Sequence, residues 1–272
     1  LSLGELVDRL LKKKVMPPGC AALTFDDGYE NNYRVAFPLL KKFNVPATIF
    51  IATDFVKNKK LLWVDRVEIA FARTTANEFS CPMTRRVYPL GDLKETARAY
   101  LETKAALKRA DTGQREQAVA EITRRLLPGG PTDPDPDYAP LTRAQLREMI
   151  RSGLVEIGAH SVRHAILTRL DLSEARWEIE ESAKDVEDLA GKRPRFFAYP
   201  NGAYGAAVAD LVRLAGYEAA FAVGLRLNQP EDLRLFSIKR VALAQGDTPA
   251  LFAATLCGLR GALTSAREVL RG

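Results

Sequence analysis

Six short apolar segments recur along the chain, and each is a continuous hydrophobic run rather than a strict alternation of apolar and polar positions. Such runs are typical of strands that are covered on both faces, as in parallel sheets. The six predicted strands span residues 21–25, 47–52, 154–158, 196–199, 218–223 and 236–242.

Amphipathic helical patterns lie between these runs. Thr142 is a candidate N-cap for a helix that ends at Gly153, and Ser173 is a candidate N-cap for a helix that ends at Gly191. Strands that alternate with helices predict an α/β fold, and an α/β barrel is its natural closed form.

One region interrupts this alternation. Residues 57–139 contain two long charged helical patterns, near 92–110 and 114–127, and end in a Pro- and Asp-rich run. We therefore predict one barrel domain over residues 1–272 that carries a helical insertion at about 57–139. The insertion is either a surface elaboration or a lid that contributes to substrate recognition.

Two adjacent carboxylates, Asp26 and Asp27, follow the first apolar run and precede Gly28. On its own this pattern also fits a plain Asp-Gly turn. Two neighbouring carboxylates that are buried together repel each other, and a bound cation would allow both to stay ionised at neutral pH.

The only two histidines of the chain, His160 and His164, follow the third apolar run. On a helical turn, residues four apart lie on one face and can converge on one metal ion. Together with Asp27 they form a set of two imidazoles and one carboxylate that leaves coordination positions open, as a hydrolytic metal site requires. Zinc suits this set best, with manganese, iron, cobalt and nickel as alternatives. Asp26 would then act as the general base that takes a proton from water.

A third stretch combines an apolar strand with the turn residues Tyr199, Pro200, Asn201 and Gly202. From these residues alone, a simple strand terminator is the better interpretation. In the functional alternative, the backbone N–H of Asn201 donates a hydrogen bond to the negatively charged oxygen of a tetrahedral intermediate in hydrolysis. In that alternative Tyr199 and Pro200 line the substrate-binding site.

In this order, the three stretches resemble the polysaccharide deacetylase family, which includes chitin, peptidoglycan and chitooligosaccharide deacetylases. The matching motifs are T-F-D-D-G at residues 24–28, H-[ST]-x-x-H at 160–164, and an aromatic strand that ends in Pro-x-Gly at 200–202. The resemblance implies a distorted (β/α) barrel of about seven strands. It also implies a metal ion on Asp27, His160 and His164, Asp26 as base, and removal of the acetyl group from an N-acetylated amino sugar.

The sequence departs from chitin-deacetylase-like relatives at two positions. Ala198 stands where they carry an arginine that orients the base, and the chain lacks the late histidine that serves them as general acid. We predict that Arg240, in the last apolar run, pairs with Asp26 in place of the missing arginine; the alternative is a surface charge. Because arginine does not readily donate a proton, the acid is left open between water, Asp26 returning its proton, and another group.

Two other functions remain as alternatives at this point. The first is hydrolysis of a different non-peptide C–N bond, as in a formamide, a cyclic ureide or an imide. The second is a carbohydrate-binding protein whose catalytic machinery has decayed. The complete set of Asp26, Asp27, His160 and His164 argues against the second, because binding alone needs no base beside a metal.

The composition and net charge of the chain limit the kinds of binding partner and the cellular compartment that we expect. The 272 residues include three widely spaced cysteines, which predict reduced thiols rather than a disulfide framework. The formal net charge of +6 is compatible with an anionic substrate, a membrane surface or a merely solvated surface. The basic residues show no aromatic-interleaved patch of the kind that nucleic-acid-binding proteins use. The absence of a visible targeting signal favours the cytoplasm, with export or membrane association as the alternative if a segment precedes Leu1.

Overall fold

A curled sheet of parallel strands forms the centre of the fold. The structure, a computed structural model, describes residues 1–130, 135–224, 227–229, 233–244 and 246–259. The strands in chain order are β1 (Leu23–Phe25), β2 (Ala47–Ile51), β3 (Glu78–Ser80), β4 (Val87–Pro89), β5 (Val155–Ala159), β6 (Phe196–Ala198), β7 (Ala219–Val223) and β8 (Ile238–Arg240).

Helices connect the strands and cover the outer face of the sheet. They are α1 (Leu3–Leu11), α2 (Phe37–Phe43), α3 (Thr53–Asn58), α4 (Trp63–Arg73), α5 (Leu93–Arg109), α6 (Thr112–Leu126), α7 (Arg143–Arg151), α8 (Leu172–Ala190), α9 (Ala206–Leu214) and α10 (Pro249–Leu256), and a π-helical turn (Asn32–Ala36) precedes α2. Among the described helices, none has the length and apolar character that crossing a bilayer requires.

The sheet confirms the predicted α/β class and the distorted barrel. Its strand order is β1-β2-β5-β6-β7-β8 with every pair parallel, while β3 and β4 form a separate antiparallel hairpin. Each of the six apolar runs overlaps one of the six sheet strands, and only β5 extends beyond its run, by one residue, Ala159. The expected count of about seven is therefore one too high for the described residues, and the sheet curls into a half-barrel whose edge strands are β1 and β8.

The two faces of the sheet belong to different cores. Ile49 and Ile51 point outward and pack with residues of α2, α7, α8 and α9. Phe50, between them, points inward and packs with Phe196 of β6 and Phe221 of β7 across the curled sheet. Leu3 and Val7 of α1 join this inner cluster, so that α1 fills one end of the half-barrel. Burial on both faces explains why the central strands β2, β5, β6 and β7 are apolar runs.

The segment between β2 and β5 builds a further cluster of its own. Helices α4, α5 and α6 pack with the hairpin β3–β4 around Phe71, Phe79, Leu107 and Val119. Helices α5 and α6 match the two predicted helical patterns, whereas the hairpin was not predicted. Residues 131–134 of the predicted Pro- and Asp-rich linker lie outside the described residues.

Local capping chemistry agrees with the sequence in one helix and differs in another. Thr142 caps α7 in a capping box with Gln145, as predicted. The N-cap of α8 is Asp171, two residues before the predicted Ser173; it accepts hydrogen bonds from the Glu174 N–H at 2.8 Å and the Ser173 hydroxyl at 2.6 Å. A carboxylate is the stronger acceptor at the positive end of a helix, which explains this shift.

The cysteines Cys20, Cys81 and Cys257 are free.

Candidate active site

The first two sequence motifs meet at the carboxyl-terminal edge of the sheet. Parallel strands bring their carboxyl ends to one edge, so the loops after β1, β2 and β5 lie side by side. The Ala52 N–H donates to the carbonyl oxygen of Asp27 at 3.1 Å, and the Thr53 N–H donates to the carbonyl oxygen of Ser161 at 3.1 Å. The turn after β2 thus holds the carboxylate loop and the histidine loop together.

Left-handed backbone conformations concentrate in these loops. Asp27, Ser161, His164 and Asn201 have φ angles of 70°, 63°, 52° and 56°. Such conformations are costly for residues other than glycine and commonly mark functional sites. They also correct one prediction, because residues 160–164 form an irregular loop rather than a helical turn. The loop brings the two histidines together by its own bends, with ring centroids 4.9 Å apart.

Gly28 is needed for the same reason. Its φ of 91° is a conformation that side chains disfavour, and a Cβ atom there would lie 2.8 Å from Cγ2 of Val56 and 2.9 Å from Cγ2 of Ile51. Glycine therefore lets the chain turn directly after the two carboxylates without displacing the core of β2 and α3.

Asp27, His160 and His164 converge on one point. The Oδ1 atom of Asp27 lies 3.4 Å from Nε2 of His164 and 3.7 Å from Nε2 of His160. One ligand atom from each residue falls within 4.8 Å of the other two. Oδ1 of Asp27 is buried and has no hydrogen-bond partner in the described structure. An unsatisfied buried carboxylate oxygen facing two imidazole nitrogens is a donor set for a cation.

The ring orientation of His160 fixes which nitrogen faces the site. Its Nδ1 atom lies 2.7 Å from the carbonyl oxygen of Ala198 at the end of β6. Because a carbonyl oxygen only accepts, Nδ1 carries the proton and Nε2 presents a lone pair. Burial lowers the pKa of His160, and burial lowers the pKa of His164 to about 4. Both imidazoles are therefore neutral at pH 7, which is the form that binds metal.

Arg240 spans the gap between the edge strands of the sheet. Its Nη1 and Nη2 atoms donate to Oδ1 and Oδ2 of Asp26 at 2.5 and 2.8 Å, and Nη1 also lies 3.1 Å from the hydroxyl oxygen of Thr24. Burial opposes ionisation of Asp26, yet the pKa of Asp26 lies below its ordinary value, and the hydrogen bonds and positive charge of the Arg240 guanidinium contribute to this lowering. Asp26 is thus an ionised carboxylate with a fixed orientation.

The pKa of the neighbouring carboxylate, Asp27, is shifted in the opposite direction. Burial raises the pKa of Asp27 to about 6; the charge of Asp26 adds to this effect, while His160 and Arg240 oppose it. Adjacent carboxylates whose pKa values are driven apart are typical of sites in which the two groups have different tasks. Asp26 has an arginine as its partner, whereas no lysine or arginine of the described residues forms a salt bridge with Asp27.

The third motif lies next to the site, but its side chains do not fit their predicted roles equally. Tyr199 is fully buried, and its hydroxyl donates to the carbonyl oxygen of Phe236 at 2.9 Å. Pro200 is also buried. Neither position fits the prediction that Tyr199 and Pro200 line the substrate-binding site, because neither offers exposed surface to a ligand. Asn201 is exposed, three residues beyond the Ala198 carbonyl that binds His160.

Sequence reasoning missed the residue that supports the histidine loop. Glu178 of α8 is fully buried, and its carboxylate accepts from the N–H groups of Val162 and Arg163 at 2.8 and 3.0 Å and from Nε of Arg163 at 2.6 Å. A signal was present, since Glu178 lies on the apolar face of the helix between Ala175 and Ser182. A charged residue on a buried stripe requires partners.

A second missed pair connects the insertion to the carboxylate loop. The hydroxyl of Tyr29 donates to Oδ1 of Asp65, in the first turn of α4, at 2.7 Å. Oδ2 of Asp65 is buried and has no hydrogen-bond partner among the described residues. Burial raises the pKa of Asp65 to about 7. The pair couples the position of α4 to the segment that carries Asp27.

The chain shares its fold with several solved structures. The chain superposes on the deacetylase PplD of Streptococcus pyogenes, solved with acetate, with a TM-score of 0.60 and 17% identity, covering 94% of this chain and 78% of that one. It superposes on a de-N-acetylase of Aggregatibacter actinomycetemcomitans with a TM-score of 0.56 and 18% identity, covering 94% and 82%. At these identities the likeness shows a shared fold.

Sequence comparison identifies the family. The Bacillus subtilis protein YxkH, which carries the family's name, is 41% identical over 49 residues, and this match covers only 18% of either protein. The family model for polysaccharide deacetylases matches residues 13–220, a range that includes all three motifs. This chain belongs to the polysaccharide deacetylase family.

Proposed function

We propose that the protein is a divalent-metal-dependent hydrolase that removes the acetyl group from an N-acetylated amino sugar in a glycan or glycoconjugate. One observation carries the proposal. An ionised carboxylate, Asp26, lies beside a buried set of one carboxylate and two neutral imidazoles on Asp27, His160 and His164. Family membership supports carbohydrate deacetylation as the reaction.

The residues fit a divalent cation. Asp27, His160 and His164 would hold it, because Oδ1 of Asp27 is buried without a hydrogen-bond partner and Nε2 of each histidine faces that oxygen. Two nitrogen ligands and one oxygen ligand suit zinc, and also manganese, iron, cobalt or nickel. When bound, the cation supplies the positive charge that polarises a carbonyl and lowers the pKa of water.

Asp26, assisted by Arg240, would carry out the proton transfers of the reaction. Asp26 accepts the proton of the attacking water, and Arg240 keeps its carboxylate ionised and oriented for that step. The backbone N–H of Asn201 would donate to the carbonyl oxygen as negative charge develops on it. When the C–N bond breaks, the amine needs a proton, and protonated Asp26 can return the one it accepted. Arg240 cannot supply it, because a guanidinium stays protonated.

The proposal is tested by acetate release from N-acetylhexosamine oligosaccharides, measured on metal-stripped protein before and after zinc is added. Asp26→Asn should bind zinc normally yet lose roughly 10²- to 10⁴-fold in kcat, because only the base is removed. His164→Ala should lose both zinc binding and activity. A matched control, Glu174→Ala, alters a partly exposed carboxylate outside the site and should retain both.

Three results would contradict the proposal. Full activity of the metal-stripped protein would exclude the metal. Release of formate from formamides, or ring opening of cyclic ureides, without acetate release would reassign the substrate. Glycan binding without hydrolysis by the zinc-loaded protein would indicate a carbohydrate-binding protein.

A further inference from the structure

A surface at the end of the barrel opposite the candidate active site combines lysines with exposed apolar side chains. Residues 12–22 lead into β1, and residues 41–46 join α2 to β2. Because β1 and β2 are parallel with Leu23 opposite Ala47, these two segments enter the sheet side by side at its amino-terminal edge. The carboxylate and histidine loops leave the sheet at its other edge.

The charge of this surface is uncompensated. Lys13, Lys14, Lys41 and Lys42 are all exposed, and none of the four forms a salt bridge within the described part of the chain. No aspartate or glutamate occurs at positions 9–25 or 31–46 of the sequence. Lys41 lies over the Phe37 ring at 4.4 Å and Lys42 over the Phe43 ring at 5.2 Å. Such contacts do not neutralise an ammonium group, so the positive charge remains available to a negatively charged partner.

Apolar side chains stand among these lysines. Val15 is 89% exposed, Phe43 64%, Leu39 51% and Val45 39%. Leu39 and Phe43 lie one helical turn apart on the same face of α2. Single exposed apolar residues are ordinary, but four within two adjoining segments form a patch that suggests contact with another surface.

We propose that this basic–apolar patch, formed by Lys13, Lys14, Val15, Leu39, Lys41, Lys42, Phe43 and Val45, binds the surface of an anionic phospholipid membrane. Lysines attract acidic headgroups, while valine, leucine and phenylalanine side chains can enter the boundary between headgroups and acyl chains. A nucleic acid would use the charge but not the aliphatic groups. A protein partner would require a fixed shape, which four flexible lysine side chains do not provide.

The geometry gives this binding a direction. The patch occupies the amino-terminal edge of the sheet and the candidate active site its carboxyl-terminal edge, so a docked molecule would turn its catalytic loops away from the lipid. The proposal does not rest on the proposed deacetylation and can be tested without a substrate.

The test is co-sedimentation of the whole protein with phosphatidylcholine vesicles that contain or lack phosphatidylglycerol. The variant carries Lys14→Glu, Lys41→Glu and Lys42→Glu. The matched control carries Lys94→Glu, Arg109→Glu and Arg124→Glu, at exposed positions of α5 and α6. Each triple variant takes the formal net charge from +6 to zero, so the two differ only in where the charge is reversed.

Wild-type protein and the control should bind vesicles that contain phosphatidylglycerol, and the patch variant should bind them at least about tenfold more weakly. Replacing Val15 and Phe43 by serine should leave binding at low salt but reduce binding at high salt, where charge attraction is screened. Circular dichroism should show that all variants are folded.

Several outcomes would overturn the proposal. These are failure of the wild-type protein to bind acidic vesicles, equal binding by the two triple variants, and equal binding to neutral vesicles. Patch-dependent binding to a DNA duplex or to an acidic polypeptide, in the absence of vesicle binding, would assign the patch to another kind of polyanion.

Discussion

Two adjacent aspartates in this chain have opposite electrostatic environments. Asp26 faces a guanidinium that lowers its pKa, whereas the pKa of Asp27 is raised to about 6, chiefly by burial. Adjacent residues in an extended strand point in opposite directions. The left-handed turn at Asp27, with φ 70°, instead lets both side chains reach the mouth of the half-barrel. This local bend gives one carboxylate the properties of a base and the other those of a ligand.

Replacing Arg240 by alanine should reduce kcat by roughly ten- to a hundredfold, because the base loses its charge partner and its orientation. The substitution removes an interaction that lowers the pKa of Asp26, so this pKa rises. The acidic limb of the pH–rate profile should therefore move to higher pH, since a base must be deprotonated to act.

Arg240→Lys is the control for this prediction. It retains a positive charge but loses the two parallel hydrogen bonds, and its acidic limb should shift less than that of Arg240→Ala. An unchanged rate and pH profile in Arg240→Ala would show that the ion pair has no part in the reaction.

At the residue scale, the predicted grouping of candidate metal ligands agrees with the structure, because chemistry alone limits the choice. With only two histidines and one adjacent pair of aspartates, the grouping of Asp27, His160 and His164 needed no knowledge of loop geometry. The helical turn was a wrong inference, because sequence spacing does not reveal left-handed residues such as Ser161. Tyr199 was misplaced because a strand's last aromatic residue can turn toward the core or toward the mouth, and the sequence pattern is the same for both.

At the scale of elements, helix α8 determines the shape of the histidine loop. The buried carboxylate of Glu178 binds two consecutive backbone N–H groups of the loop between the two histidines. These N–H groups have no helix or strand to satisfy them, so the carboxylate replaces regular secondary structure as their partner. The separation of the two imidazoles therefore depends on a helix that contributes no ligand.

Glu178→Ala should lower the free energy of unfolding by about 3 kcal/mol, because it leaves buried donors without an acceptor. It should also weaken zinc binding by roughly tenfold or more, since the loop loses its support. Denaturant titration and zinc competition with a chelator measure the two effects.

Glu174→Ala is the matched control, because Glu174 contacts the same Arg163 at 2.7 Å but is partly exposed. Its unfolding free energy should change by less than about 1 kcal/mol. Equal effects of the two substitutions would mean that Glu178 acts only through the Arg163 side chain.

Among the elements, the sheet strands were predictable and the hairpin was not. The central strands β2, β5, β6 and β7 are largely buried on both faces, so their hydrophobic runs stand out. Strands β3 and β4 are three residues each and expose alternate side chains, and such short patterns do not differ from loops. The capping residue of α8 was misassigned because Asp171 and Ser173 are both good N-caps.

At the scale of the whole molecule, metal binding should raise the free energy of unfolding. A ligand that binds only the folded state raises stability by about 2.7 kcal/mol at a free concentration one hundred times its Kd. Zinc should therefore raise the melting temperature in a concentration-dependent way at pH 7.5. Because the pKa of Asp27 is about 6 without metal, protons should compete with zinc below that pH, and the stabilisation should decrease as the pH falls.

Thermal unfolding of the wild-type protein at pH 7.5 and pH 5 with increasing zinc tests this coupling. His164→Ala should show no zinc-dependent shift at either pH. A shift that persists unchanged at pH 5, or that survives in His164→Ala, would mean that zinc binds elsewhere on the molecule.

In the part of the chain that the structure describes, no backbone ladder between β1 and β8 closes the sheet of this half-barrel. Among the described residues, its two edges are joined by the Arg240 guanidinium, which reaches from the end of β8 to Asp26 and Thr24. The ion pair that lowers the pKa of the proposed base, Asp26, therefore also connects the two edge strands of the half-barrel. If the two edge strands separated, Arg240 would no longer contact Asp26, and the pKa of Asp26 would rise. The proposed base would therefore be active only in molecules whose half-barrel is fully folded.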